Sequence, residues 1–339
     1  MFDVLVTTGA GNVPMGGSDI WVNNFLENVY PHLNYPIVLL IDGRMPVGFD
    51  PDSIPCRFVF SKEAPLMVGP LLRNCRKIHF LHNNYYRRDE LWEYKEKFDT
   101  IFVHAYIKEI INTNIDLGLD RVWLPTTMDL QWEQDVLNQC KTIVWIGCND
   151  GLVQKDFPKK CIQIPNYYEF EYNKKYVWFN DRIGYAARSE TRKCFHFLDN
   201  HIGYALTDKI GFENLKEGLN LNLRRIRFYP YSLENHKNFF NLDFTPFHAC
   251  YVNEPFGYSI FNAVDYGKLP ILNKYWMPRI NYKYRASTKE EFDKMYDKMC
   301  NDFEVEREFW FNKLKEELVK YDNKANWIHR IKLLLNDNK

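Results

Sequence analysis

Short apolar runs separated by helix-like segments recur along the first 140 residues, and this alternation restricts the chain to few folds. The runs are FDVLVTT, PIVLLID, CRFVF, KIHFLH, TIFVHA and RVWLP, each of about four to seven residues. Runs this short and this apolar are typical of strands buried on both faces, and parallel strands need the helical crossovers that lie between them. The pattern predicts a parallel sheet covered by helices, which is an α/β fold.

A second series of such runs follows residue 140. It includes TIVWIG, RRIRFYPY and FHACYV, while WFNDRIGYAARSETRKCFHFLDN gives a strand, a basic loop and a helix. A chain of 339 residues is also longer than one core usually organises. We therefore expect two Rossmann-like domains facing each other across a cleft, over residues 1–160 and 175–310. A C-terminal helix within 311–339 is expected to pack back on the first domain. In such sheets ligands bind outside the carboxyl ends of the strands.

Charge is balanced over the whole chain but not along it. Lys and Arg number 44, as do Asp and Glu, so the composition does not indicate a protein that binds polyanions with its whole surface. Residues 1–140 contain 12 Lys and Arg against 18 Asp and Glu, so a nucleic acid would have to be held by a local patch. One candidate patch is Arg73, Arg76, Lys77, Arg87 and Arg88, for which an ordinary solvated surface is the simpler interpretation.

The eight cysteines indicate a reducing compartment. None forms a Cys-x-x-Cys pair and several lie in apolar runs, which predicts packed, reduced thiols in a cytoplasmic protein. The N-terminal MFDVLVTTGAG has the pattern of a first strand and not of a signal peptide. No apolar run reaches 18 residues, so no membrane span is predicted.

The stretch NEPFGYSIFNAVDYGKLPIL, residues 253–272, predicts a binding loop that opens a helix. Gly257 permits close backbone approach, and the amides from Phe256 to Ser259 would point from the positive end of the helix at an anion. Glu254 can accept hydrogen bonds from hydroxyl groups, and Asn262, eight residues further on, can bond others. A ligand with both phosphates and hydroxyls, such as a nucleotide-sugar, meets both demands.

A basic loop lies in IGYAARSETRK, between a predicted strand and a predicted helix. Arg188, Arg192 and Lys193 could neutralise a diphosphate leaving group as its charge develops. An isolated basic loop is more often plain surface, and that interpretation stays open.

Two features of the first half could also face a ligand. Gly16 and Gly17 open the first predicted helix, where they are either a close-approach loop or a flexible turn. The loop lacks the Lys-Ser/Thr of a phosphate-binding NTPase loop and the glycine spacing of a dinucleotide fingerprint, although Asp42 keeps a nicotinamide alternative open. In IHFLHNNYY, His79 is expected to be packed, and His82, at the strand end, to reach the cleft.

EPFGYSIFNAVDYGKLPIL resembles the donor-binding motif of retaining GT-B glycosyltransferases. In that family a Glu, a Phe-Gly pair and a second Glu precede a helix of small residues and a Gly-x-Pro. The resemblance implies that Glu254 and the backbone at Phe256, Gly257 and Tyr258 bind the donor sugar and phosphate. The second Glu, which binds the ribose, is replaced by Asn262.

Four further segments are similar to that family in the same order along the chain. They are NVPMGGSD, HFLHN with His82, WLPTTMDL with Pro125 and Asp129, and IGYAARSETRK. In the last of these the family usually has Arg directly after the Gly, where this chain has Tyr185. The resemblance then implies that Arg188 and Lys193, or Arg192, grip the diphosphate instead.

The resemblance implies a GT-B fold and a retaining hexosyl- or pentosyltransferase. A UDP-sugar would be the co-substrate, and no metal or other cofactor would be required. The implied catalytic residues are His82, Arg188, Lys193 and Glu254. The implied donor-binding residues are Gly16, Gly17, Arg192, Phe256, Gly257, Tyr258, Ser259 and Asn262.

The acceptor has alternatives. DTIFVHA, PTTMDL and GKLPIL are similar to segments of the DNA alpha-glucosyltransferases of T-even bacteriophages, which implies hydroxymethylated pyrimidines in double-stranded DNA as acceptor, in a host cytoplasm. Asn83, in place of an acceptor-side Asp, would then lie on the acceptor side of the first domain with Arg87 and Arg88. A glycan or lipid-linked saccharide is the other acceptor class. Asn83, Tyr185 and Asn262 also leave open a non-catalytic nucleotide-sugar-binding module.

Overall fold

A computed structural model describes residues 1–8, 17–42, 58–60, 65–82, 91, 93–116, 127–187, 193–248, 254 and 256–336. These residues fall into two compact units. The first is formed by the described residues up to 112, by 127–166 and by 324–336. The second is formed by the described residues within Thr113–Val122 and Tyr167–Asn323.

The first unit contains a sheet of parallel strands. The strands are β1 (Phe2–Thr8), β2 (Ile37–Asp42), β3 (Phe58–Phe60), β4 (Cys75–His82), β5 (Phe98–Val103), β6 (Thr142–Trp145) and β7 (Cys161–Gln163). Their order is β3-β2-β1-β4-β5-β6-β7, and every neighbouring pair is parallel. The order reverses between β1 and β4, which makes the carboxyl ends of these two strands the switch point of the sheet.

Helices connect these strands, as the sequence predicts. They are α1 (Gly17–Asn28), α2 (Pro65–Asn74), α3 (Ile107–Asp116), α4 (Thr127–Gln139) and α5 (Leu152–Asp156), with short 3₁₀ turns at Tyr30–His32 and Lys95–Lys97. Strand residues such as Val4, Ile78, Ile101 and Ile143 are buried in one core cluster with Trp145. The predicted strand RVWLP lies outside the described residues, whereas the other predicted strands of this half are present.

The second unit repeats the plan with a five-stranded parallel sheet. Its strands are β8 (Ile183–Ala186), β9 (Gly203–Thr207), β10 (Ile226–Pro230), β11 (Thr245–His248) and β12 (Ile271–Leu272), in the order β10-β9-β8-β11-β12. Its helices are α6 (Lys209–Gly218), α7 (Leu233–Asn241), α8 (Tyr258–Asp265), α9 (Lys289–Asn301) and α10 (Glu304–Leu318). Two 3₁₀ turns lie at Phe195–Leu198 and Val319–Tyr321. Here the order reverses between β8 and β11.

Helix termini in the second unit follow from local sequence. The Ser232 side chain accepts a hydrogen bond from the Asn235 amide at 3.0 Å and begins α7. The Thr288 side chain accepts one from the Glu291 amide at 3.2 Å and begins α9. Both hydroxyls satisfy amides that the first helical turn leaves unpaired.

The last helix, α11 (Lys324–Asn336), belongs to the first unit. Its buried residues Trp327, Ile331 and Leu335 are four apart and so share one face. The ring of Trp327 meets that of Trp21 edge-on, with 6.3 Å between centroids.

Among the described residues, no helix is long and apolar enough to cross a membrane. The six described cysteines are free thiols, and of these Cys300 is exposed.

Candidate active site

The switch point of the second sheet brings two predicted site residues together. Strands β8 and β11 are direct neighbours, with Thr245 opposite Ile183 and Pro246 opposite Gly184. Lys193 follows β8 and Glu254 follows β11. Because the carboxyl ends of parallel strands lie at the same edge, the chain leaves both strands towards one place, where sheets of this type bind ligands.

Lys193 and Glu254 form an ion pair at this edge. The Lys193 Nζ donates to Glu254 Oε2, and the two side chains are 20% and 19% exposed. An ammonium and a carboxylate so placed offer opposite chemistry side by side. The ammonium suits a phosphate, and the carboxylate suits sugar hydroxyls, which donate hydrogen bonds to it.

The residue after Lys193 has an unusual backbone. Cys194 is fully buried and adopts the left-handed conformation, with φ 61° and ψ 33°. A non-glycine residue in this region is strained by roughly 1–3 kcal/mol, and such residues are concentrated at functional sites. Cys194 turns the chain directly from Lys193 into the 3₁₀ turn Phe195–Leu198.

Gly257 begins helix α8 at the turn that the sequence analysis predicted to bind an anion. Gly257 is the N-cap residue, with φ 76° and ψ 54°. A Cβ atom there would lie 3.1 Å from both Ile260 Cδ1 and Trp276 Nε1, which is tighter than an ordinary contact, and the positive φ itself favours glycine. The amides of the first turn and the helix dipole favour an anion at this end. Tyr258 and Ser259 are the first two residues of α8.

Phe256 is held by aromatic packing and is buried. Its ring stacks on that of Phe261, with 4.4 Å between centroids and 5° between planes. Tyr321 meets the Phe256 ring edge-on at 5.9 Å. The packed Phe256 side chain therefore holds the turn in place, and only the backbone of Phe256 is available to a ligand.

Ser259 is engaged by a histidine that the sequence analysis did not single out. Its Oγ lies 3.2 Å from His248 Nδ1, at the carboxyl end of β11. Burial lowers the pKa of His248 to about 4, and the nearby Lys193 acts in the same direction whereas Glu254 opposes it. His248 is thus neutral at neutral pH. It links the end of β11 to the first turn of α8.

Asn262 is bonded at both ends of its side chain. Its Oδ1 accepts from the Tyr168 hydroxyl at 2.7 Å, and its Nδ2 lies 3.4 Å from His236 Nε2. Burial lowers the pKa of His236 to about 4, so its ring is neutral and can accept from the amide. The Asn262 side chain thus has a protein partner on each side.

Asp265 closes the other end of α8. The carboxylate is fully buried and accepts from the amides of Glu171, Tyr172 and Asn173 at 3.1, 3.1 and 2.6 Å. The Tyr168 hydroxyl lies 3.2 Å from its Oδ2. Asp265 therefore fixes the segment that carries Tyr168, and the sequence showed it only as one acidic residue in an apolar helix.

Tyr185 lies in the core of the second unit. It belongs to β8, is 1% exposed, and its ring lies 5.5 Å from that of Phe195 and 5.4 Å from that of Phe247. The position directly after Gly184 is thus within the strand and not in the basic loop. Tyr185 stands where the resembled family usually has Arg, so a cation that substitutes for that Arg has to come from residues beyond β8, as Lys193 does.

The switch point of the first sheet carries two more predicted residues. Gly17 is the first residue of α1, and His82 is the last of β4, which pairs with β1. His79, expected to be packed, is 1% exposed, and its Nε2 lies 3.1 Å from Asp3 Oδ2. Asp3 also pairs with Arg76 at 2.9 Å, and these contacts lower its pKa to about 2 despite its burial.

Several predicted residues are not placed by the structure. Those that lie outside the described residues are Gly16, Asn83, Arg87, Arg88, Pro125, Arg188 and Arg192. Of the candidate basic patch, Arg76 is paired with Asp3, and Lys77 lies 3.4 Å from Asp99. Arg73 is exposed on α2. Asp129 is buried in the first turn of α4.

No protein-family model and no curated protein matches the chain. Solved structures do. A structure of Anabaena HepE in complex with UDP and glucose matches with a TM-score of 0.66 at 13% identity, covering 100% of both chains. A glycosyltransferase from Rickettsia africae matches with a TM-score of 0.60 at 13% identity, over 100% of this chain and 99% of that one.

A third match is an α,α-trehalose-phosphate synthase (UDP-forming) from Burkholderia vietnamiensis, with a TM-score of 0.64 at 8% identity over 100% of both chains. These neighbours are GT-B glycosyltransferases, and each match covers at least 99% of both chains. The chain has the GT-B fold. The fold class that the sequence resemblance implied is therefore confirmed, and in this GT-B chain the Lys193–Glu254 pair lies in the second unit.

Proposed function

We propose that the chain is a glycosyltransferase that moves a sugar from a UDP-sugar to an acceptor hydroxyl and retains the anomeric configuration. The observation that carries this proposal is the Lys193–Glu254 pair at the switch point of the second sheet, which is also where α8 begins. The fold supports it, since a GT-B neighbour was solved with UDP and glucose bound.

Each group at this edge has a defined part in the proposal. The amides at Gly257 and in the first turn of α8 bind the diphosphate, and Lys193 donates to it. Glu254 accepts from hydroxyls of the sugar. Arg188 and Arg192, with His82 of the first unit, are the remaining predicted contacts.

The chemical step breaks the bond between the anomeric carbon and the β-phosphate oxygen and forms a bond from that carbon to the acceptor oxygen. The electron pair of the broken bond leaves with UDP, and Lys193 stabilises the charge that develops there. The departing phosphate oxygen takes the acceptor proton on the same face of the sugar. Retention of the anomeric configuration then needs no separate general base. That the reaction needs no metal ion stays a prediction.

Acceptor identity rests on residues outside the described part of the chain. Asn83, Arg87 and Arg88 are among them, and Arg76 and Lys77 have carboxylate partners. Hydroxymethylated pyrimidines in DNA and a glycan or lipid-linked saccharide therefore both stay predictions. Salt separates them, because binding through DNA phosphates weakens steeply as salt rises.

The test is turnover. Purified protein is incubated with a panel of UDP-sugars, and released UDP is measured with no acceptor, with duplex DNA containing hydroxymethylated pyrimidines, and with a panel of saccharides. Release stimulated by one acceptor supports the proposal and identifies the acceptor class. Binding of UDP without release from any donor would support a binding module, and absence of both contradicts the proposed function.

A further inference from the structure

The segment Asn273–Ile280, here called the Trp276 loop, follows β12 and packs against the Gly257 turn. Trp276 is 1% exposed. Its Nε1 and Cε2 lie 3.1 and 3.4 Å from the position that a Cβ on Gly257 would occupy. The edge of the indole therefore fills the space beside the glycine, and a larger residue at position 257 would crowd it.

Arg285 fastens the loop to the sheet. Its Nη1 donates to the carbonyls of Asn273 and Trp276 at 2.9 and 2.7 Å. Its Nη2 donates to those of Met277 and Ile280 at 2.9 and 3.1 Å. A guanidinium with four carbonyl partners holds the loop at both ends, which a single ammonium group cannot do in the same geometry. Burial lowers the pKa of Arg285, against the opposing effect of Tyr282.

The backbone of the loop is strained at the residue after Trp276. Met277 has φ 43°, in the left-handed region, and its side chain is 1% exposed. A bulky residue in this conformation persists only where the surroundings enforce it, and such strain is concentrated at ligand clamps and active sites. Here the enforcement comes from Arg285, which is bonded to the carbonyls on both sides of the strained residue.

The indole N–H of Trp276 is the feature that points to a ligand. It is buried, and within the described residues it has no hydrogen-bond partner. Buried donors are nearly always paired, so an unpaired one calls for an explanation. It lies beside Gly257, the N-cap residue at which helix α8 begins.

We propose that Trp276 is a positioning residue of the anion-binding turn, that its indole N–H acquires its hydrogen-bond partner when a phosphate-bearing ligand binds there, and that Arg285 holds Trp276 in place. This inference rests on the proposed function, because it takes the ligand to be a UDP-sugar or UDP. It adds to the site a side chain from the loop after β12, outside the 253–272 segment.

The test uses full-length protein and UDP. Tryptophan indole N–H resonances are recorded in ¹⁵N-labelled protein, and that of Trp276 is identified by its loss in Trp276→Phe. We expect UDP to shift this resonance downfield. We also expect Trp276→Phe and Arg285→Lys to raise the Kd for UDP by about tenfold each, the effect of one lost hydrogen bond. Trp178→Phe is the matched control, since Trp178 is 79% exposed in the same unit.

The outcomes separate the inference from the proposed function. If wild-type protein binds UDP while the Trp276 resonance and both variants' Kd values stay unchanged, the inference is wrong and the proposed function stands. If wild-type protein does not bind UDP, the proposed function fails and the inference with it. If Trp276→Phe does not fold, weaker UDP binding by Arg285→Lys, with binding by Trp178→Phe unchanged, supports the inference, and unchanged binding by Arg285→Lys contradicts it.

Discussion

Lys193 and Glu254 form an ion pair although they follow different strands and lie 61 residues apart. A bound UDP-sugar can replace both halves of this ion pair, because its diphosphate accepts from the Lys193 ammonium and its sugar hydroxyls donate to the Glu254 carboxylate. A diphosphate alone separates the pair and leaves the half-buried carboxylate without its cation, which is unfavourable. The pair should therefore favour the UDP-sugar over the UDP product.

Glu254→Gln separates these two effects. The amide lacks the charge that pairs with Lys193, so binding of UDP should be unchanged or tighter. Binding of the UDP-sugar should weaken by about tenfold or more, because the charged acceptor for its hydroxyls is lost. Calorimetric titration measures the affinity for both ligands. If UDP and the UDP-sugar both bind more weakly by the same factor, the donor does not replace the two partners of the ion pair.

Lys193→Ala tests the role of the ammonium in the chemical step. Charge on the diphosphate is greatest as the bond to the sugar breaks, so kcat should fall roughly 10²–10³-fold while donor affinity changes much less. Arg188→Ala is likewise expected to lower kcat much more than donor affinity. Lys216→Ala, at an exposed lysine of α6, is the control. Loss of affinity alone, with kcat unchanged, would refute this role.

Gly257→Ala should damage the anion-binding turn. The new methyl group would lie 3.1 Å from Trp276 and Ile260 at a backbone φ of 76°. We expect a loss of about 1–2 kcal/mol in the free energy of unfolding, together with weakened UDP binding. Gly218→Ala, where a Cβ meets nothing within 4 Å, should change neither quantity appreciably. Equal behaviour of the two variants would show that the turn does not depend on glycine.

Two buried histidines predict how stability depends on pH. Burial holds the pKa of His236 and of His248 at about 4, below the ordinary 6.5. Between these values the unfolded chain binds more protons than the folded one, so stability is lost as the pH falls from 6.5 towards 4. Each histidine contributes up to about 1.4 kcal/mol per pH unit.

Urea unfolding at about pH 7, 6 and 5 measures this slope. His248→Gln removes one titrating ring and should flatten the dependence by its share, whereas substitution of exposed His32 should not. If the curves of wild type and His248→Gln run parallel, the histidine is not buried in its neutral form.

The strand pattern made the fold predictable because each buried strand is a local signal. IVLLID and KIHFLH show β2 and β4 by themselves, and the glycine-opened helix α8 is visible in residues 256–265. The Gly257 conformation follows from the same local signal. The order of strands in a sheet leaves no local signal in the sequence, so the pairing of β8 with β11 became known only from the structure.

The partners of the site residues could not be predicted, because they come from distant parts of the chain. Tyr168 lies 94 residues from Asn262 in sequence, and nothing near either residue indicates their hydrogen bond. Asn262 could therefore be interpreted only as a ligand contact. His248 is the second residue of the predicted strand FHACYV, so the sequence did not mark it as a strand-end residue, whereas in the structure β11 ends at His248.

The most direct test of the central claim is release of UDP from UDP-sugars by purified protein, run beside Lys193→Ala and Glu254→Gln. We predict release from at least one UDP-sugar by the wild-type chain, and release reduced by at least about 10²-fold in Lys193→Ala. If no UDP-sugar is turned over and UDP does not bind, the assignment of this edge as a nucleotide-sugar site is wrong.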